Sequence, residues 1–134
     1  MKPLAVTFSH NWYSKTGWRN LWHALEVFNV DHIMFTPNRS LVNRLAKQSL
    51  KGIGDPCWHC HCGVGTIPLQ VAVRFKIPLL IWGESIAEHT GRATYLNPVR
   101  TFDRDYFIKV SAKLYPDEMV GNNITSKDVY PFQL

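Results

Sequence analysis

Apolar residues recur along this chain with two different periods, and the periods predict the elements. Leu4 to His10 begins as a nearly unbroken apolar run and ends in polar Ser9 and His10, which reads as a buried strand. A polar, turn-prone stretch from Asn11 to Gly17 follows, with Thr16 placed to cap a helix. Beyond it Trp18, Leu21, Trp22, Leu25 and Phe28 recur at steps of three and four. They share one helical face, and Trp18, Trp22 and Phe28 are expected in the core. Asp31 to Thr36 reads as a second strand, ended by Pro37-Asn38. Ser40 would cap a second helix with Leu41 or Val42, Leu45, Ala46, Ser49 and Leu50 on its apolar face, broken at Gly52-Ile53-Gly54-Asp55-Pro56. A third helix is predicted from about Val64 to Lys76, facing inward with Val64, Ile67, Val71, Ala72 and Phe75. Pro68 would fit only in its first turn, where a missing N–H costs nothing. Ile77 to Trp82 is apolar on both faces, as a central parallel strand should be.

Strand, helix, strand, helix, helix, strand is the order of an α/β protein with a parallel sheet and helices on its faces. No repeat or low-complexity linker divides the chain, so residues 1–134 read as a single α/β domain. Its C-terminal part, from about residue 95, is irregular apart from a helix predicted over Tyr106 to Leu114. In such sheets ligands bind beyond the carboxyl ends of the strands. Three polar tips are then expected to converge: Ser9-His10-Asn11, Thr36-Pro37-Asn38 and Gly83-Glu84-Ser85.

Composition narrows the class. With 134 residues, 46% hydrophobic and 19% charged, the chain can bury a core, which argues against a disordered tail or a solenoid. No apolar run approaches the ~20 residues of a membrane span, and the N-terminal apolar stretch is too short for a signal peptide. A cytoplasmic protein without membrane contact is the expectation. Net charge is +5, but the basic residues are scattered. A small anion such as a nucleotide suits that distribution at least as well as a nucleic acid, which is the less favoured partner.

The sharpest local signal is Asp55-Pro56-Cys57-Trp58-His59-Cys60-His61-Cys62-Gly63. A Cys-x-x-Cys turn can place two thiolates on one metal, and Cys57, Cys60 and Cys62, flanked by His59 and His61, are the candidate ligands. Three readings stay open: a metal site, a redox-active or nucleophilic thiol, and packed cysteines. The segment leads into the start of the third helix, whose free N–H groups favour thiolate and anions. Gly63 and Gly65 would let backbone approach a ligand closely, or simply form a tight turn. After the third strand, Glu84 and Glu88 are spaced to share one side of a helix and hold Mg²⁺, or to be a solvated helix start.

Several stretches, in order, carry a resemblance: Thr16-Gly-Trp-Arg-Asn-Leu21, Phe35-Thr-Pro-Asn38, Gly54-Asp-Pro-Cys-Trp-His-Cys-His61, Lys76-Ile-Pro-Leu79, Trp82-Gly-Glu84 with Glu88, and Ile124 to Gln133. The set resembles the N-acetyl sugar amidotransferase family of bacterial surface-polysaccharide synthesis, a branch of the PP-loop ATP pyrophosphatases. The resemblance implies an incomplete Rossmann-like (adenine nucleotide alpha hydrolase-like) fold, a three-layer parallel sheet. It implies ATP and Mg²⁺ as cofactors, with zinc or an iron–sulfur cluster as a further option, and a partner glutaminase that supplies ammonia. The implied substrate is a nucleotide sugar or another N-acetyl sugar, whose acetamido group becomes acetamidino through an adenylylated intermediate. By position, Ser9, His10, Phe35, Thr36, Gly83, Glu84 and Glu88 correspond to nucleotide contacts, and Asp55, Cys57, His59, Cys60 and His61 to the family's own signature near the sugar or a metal. The family's phosphate-cradling Ser-Gly-Gly-x-Asp-Ser loop does not occur here, and the chain corresponds to the family from its second strand on: a fragment, one of two separate chains, or a decayed remnant, in each case not expected to catalyse alone. The alternatives are a PP-loop relative that modifies tRNA and a non-catalytic metal-binding module.

Overall fold

The computed structural model describes residues 2–83 and 103–134. The described elements run β1 (Leu4–Phe8), α1 (Lys15–Phe28), β2 (Asp31–Phe35), α2 (Arg39–Ile53), α3 (Trp58–Arg74), α4 (Arg104–Phe107) continued by a π-helical turn (Ile108–Ala112), a 3₁₀ turn (Pro116–Met119), α5 (Ser126–Val129) and a last 3₁₀ turn (Tyr130–Phe132). The protein is mixed α/β and mostly helical, with β1 and β2 forming a parallel two-stranded sheet in the register Leu4 to Asp31 through Phe8 to Phe35. A β-α-β unit of this kind puts both strand carboxyl ends on the same side.

Both caps lie two residues before those predicted. Ser14, not Thr16, caps α1 through the Gly17 N–H at 3.0 Å. Asn38, not Ser40, caps α2, accepting from the Ser40 and Leu41 N–H groups at 2.9 and 3.3 Å. Gly54 closes α2 at φ +71°, a left-handed conformation that glycine adopts without strain. On the inward face of α2, Leu45, Ala46 and Ser49 are buried as its period predicts, Leu41 and Val42 are both buried, and Leu50 is exposed.

Three expectations are corrected. The third helix begins at Trp58, so the cysteine segment forms its first turns and Pro68 sits in its interior. Residues 58–68 of this helix are buried almost all round, and burial of that extent outweighs the local cost of an interior proline. Second, residues 77–82 form no strand, and Ile81 is 81% exposed. Among the described residues β1 pairs only with β2, and Leu80 to Gly83 lie across an open cleft of about 470 Å³ from it. An apolar run without a ladder partner has no reason to become a strand, and Pro78 lacks the N–H one would need. Among the described residues the sheet is therefore two strands. Third, the aromatic face of α1 is not core: Trp22 is 52% and Phe28 74% exposed, and none of its residues is buried. Trp22 does meet His32 edge-on at 6.1 Å, and His32 bonds Thr7 across the sheet at 3.0 Å.

The core lies on the opposite sheet face. Phe8 stacks on Phe35 and meets Phe132 edge-on, and Phe132 packs on Trp58 at 5.5 Å. Leu41, Leu45, Ile67, Phe107, Ile108, Met119, Ile124 and Val129 complete it. The C-terminal turns are thus integral to the core. A reciprocal Thr125–Asp128 capping box starts α5, and Gln70 Nε2 donates to the Pro131 and Gln133 carbonyls. The helix predicted over Tyr106 to Leu114 corresponds to α4 and its π-helical continuation.

Candidate functional site

The carboxyl ends of β1 and β2 meet as predicted for the first two polar tips. Ser9 N–H donates to the Phe35 carbonyl at 2.8 Å, and Asn11 Nδ2 donates to the Pro37 carbonyl at 2.6 Å. Ser9 is fully buried, and its hydroxyl accepts from the Asn11 N–H at 3.3 Å, so it shapes the turn. Phe35 faces the core and Thr36 is exposed. Of the third tip, Gly83 lines the cleft beside β1, and Glu84 and Glu88 lie outside the described residues.

The start of α3 joins these tips through aromatic contacts. His10 packs on Tyr13 at 4.4 Å and tilts against Trp12 at 6.1 Å. Trp12 in turn meets His59 edge-on at 4.9 Å. The Trp12 N–H donates to His10 Nδ1 at 3.0 Å. Burial, together with the negative charge Cys60 can carry nearby, pushes the Tyr13 hydroxyl above its ordinary pKa. Trp12 and Tyr13 belong to this site yet were not singled out from sequence. The signal that could have found them is their place directly after the carboxyl end of β1.

His59 is fully buried, and neither ring nitrogen has a hydrogen-bond partner in acceptable geometry. Burial, with neighbouring His10, pushes its pKa down to about 4, while the nearby Pro56 carbonyl opposes the shift. The ring is therefore neutral at pH 7. Asp55 accepts from the Cys57 N–H at 2.8 Å and reaches His61 Nε2 at 3.6 Å, so one carboxylate braces both ends of the first turn of α3. Burial and that carboxylate raise the Cys57 thiol pKa.

The three cysteines do not gather. Cys57 caps α3, and Cys60, three residues on, shares its face. Cys62 projects about 200° around the helix from Cys60. Its thiol is buried, lies 3.6 Å from the Phe132 carbonyl, and is pushed up to about 12 by desolvation. Among the described residues no group of three or more His, Cys, Asp or Glu side chains is arranged to hold a metal. The helix turns the Cys62 thiol into the core, away from the face that Cys57 and Cys60 share.

Gly63 and Gly65 also serve packing rather than a ligand. A Cβ at Gly63 would collide with the Phe8 ring, and one at Gly65 with the Phe107 ring. Both absences let aromatic rings lie directly on the α3 backbone.

No protein-family model, no curated protein and no solved structure matches the chain.

Proposed function

We propose that the chain is the nucleotide-binding part of an ATP-dependent amidotransferase acting on an N-acetyl sugar, its two strands belonging to a larger Rossmann-like sheet. The observation that carries this reading is the grouping of His10, Trp12 and Tyr13 at the strand carboxyl ends, against the first turn of α3. Trp12 is 42% exposed, and an indole is a ring on which a nucleobase can stack. The ordered motif resemblance supports the same chemistry. An amide oxygen is a poor leaving group, so ATP transfers AMP to it and releases pyrophosphate; ammonia then attacks the activated carbon and AMP departs with the oxygen. Ammonia would come from a partner glutaminase. Glu84 and Glu88 remain the proposed Mg²⁺ contacts, and in the absence of a Ser-Gly-Gly-x-Asp-Ser loop the phosphates would need a cradle from another chain segment or subunit. Among the described residues no helix is long and apolar enough to cross a membrane; the proposed place of action is the cytoplasm, where ATP and nucleotide sugars are made.

The test is ATP titration followed by Trp fluorescence, in the chain and in Trp12→Ala, with AMP release measured in the presence of Mg²⁺, ammonium and a nucleotide-linked N-acetyl sugar. Saturable quenching lost in Trp12→Ala supports nucleotide binding, and sugar-dependent AMP release supports the full reaction. Absence of quenching in the wild type overturns the reading. A tRNA gel shift in its place would favour the base-modifying alternative.

A further inference from the structure

We propose that Cys57 and Cys60 are a redox pair that closes reversibly into a disulfide by exchange with a small-molecule or protein disulfide. Both side chains are partly exposed, neither is in a disulfide, and they lie at the two ends of the first turn of the 17-residue helix α3. That turn is tight: the Cys60 N–H donates to the Cys57 carbonyl at 2.9 Å, an i to i+3 bond of the 3₁₀ kind. Residues three apart on a helix stand about 5–6 Å apart at Cβ, a disulfide takes about 3.5–4.5 Å, and a tightened first turn closes part of the gap. Asp55 holds the Cys57 backbone in place through its N–H, so the pair is fixed at one end before it reacts. The third cysteine is sequestered in the core and cannot compete.

The chemistry balances as ordinary thiol–disulfide exchange. One cysteine, as thiolate, attacks a sulfur of the incoming disulfide R–S–S–R; a protein–S–S–R bond forms and one R–S⁻ leaves. The second cysteine loses its proton and attacks the protein sulfur of that bond; the intramolecular disulfide forms and the second R–S⁻ leaves. The protein pair is oxidised by two electrons, the incoming disulfide is reduced to two thiols, and the two cysteine protons end on them.

The experiment equilibrates the whole chain with graded ratios of reduced and oxidised dithiothreitol, quenches in acid, alkylates the remaining thiols and maps the peptides by mass spectrometry. The expected result is one disulfide, Cys57 to Cys60, that forms saturably and reverts on reduction, with Cys62 a thiol at every ratio. Cys57→Ser and Cys60→Ser each abolish it, and in glutathione buffer each variant carries a glutathione adduct on the remaining partner. The proposal is overturned if both thiols survive the most oxidising ratio in the wild type, if each is modified independently without cross-linking, or if the purified chain carries stoichiometric zinc that protects both.

Discussion

At the scale of single residues, the centre of the molecule is Trp58. Its ring is fully buried against Phe132, and its Nε1 donates to the Leu114 carbonyl at 2.9 Å. Trp58→Ala combines lost transfer energy, a cavity and an orphaned carbonyl, and should cost about 3–5 kcal/mol in urea unfolding. Gly65 is the opposite case. Gly65→Ala adds only a methyl group and improves intrinsic helix propensity, yet the added atom meets the Phe107 ring. A loss of about 1–3 kcal/mol is expected, with partial rescue by Phe107→Leu in a double-mutant cycle. A stabilised Gly65→Ala would show that the ring moves aside freely. Neither role was visible in the sequence, where Gly63 and Gly65 read equally as a ligand cradle or a turn.

Among the elements, α2 was the most legible. Its period names three of its five buried positions outright, Leu45, Ala46 and Ser49, and offers Leu41 or Val42 where both are buried, because one face meets the core and the other meets water. Asn38→Ala removes the acceptor of two N–H groups and should destabilise by about 1 kcal/mol, whereas Ser40→Ala should cost less, since Ser40 only accepts from Arg44 Nη1 at 3.1 Å. Periodicity failed where it was silent about partners. The α1 stripe is amphipathic, but amphipathicity says which face is apolar, not that anything covers it. Phe28→Ser on that exposed face should change stability by no more than about 0.5 kcal/mol, against about 3–5 kcal/mol for Phe132→Ala. Likewise residues 77–82 carry strand composition, but a strand exists only in its ladder. At the candidate site, position after β1 is what names His10 from sequence, and its grouping with Trp12 and His59 arises from the early start of α3. The separation of Cys62 from Cys57 and Cys60 follows from that same start, since on a helix a spacing of two cannot share a face.

For the whole molecule, the buried neutral His59 makes stability depend on acid. Its pKa falls from about 6.5 in an unfolded chain to about 4 here, so between those values the unfolded state binds the extra proton. Stability is fully present above about pH 6.5 and is lost as pH falls toward 4, by on the order of 3 kcal/mol from this group alone. Urea midpoints measured between pH 4 and 7 should show that slope, and His59→Leu should flatten it. An unchanged slope in the variant would assign the acid sensitivity elsewhere.

The contact between Phe8 and Phe132 has a kinetic consequence. These rings join positions near opposite extremes of the chain, and Trp58 with Leu114 and Gln48 with Met119 close further loops across 56 and 71 residues. Each such closure spends chain entropy before any apolar surface is repaid, which slows the route to the native state. The helical segments should therefore acquire their dichroism early and wait for the tail to seat. Trp58 fluorescence would report that last event as a separate, slower phase, and Phe132→Leu would alter its rate while leaving the early phase untouched.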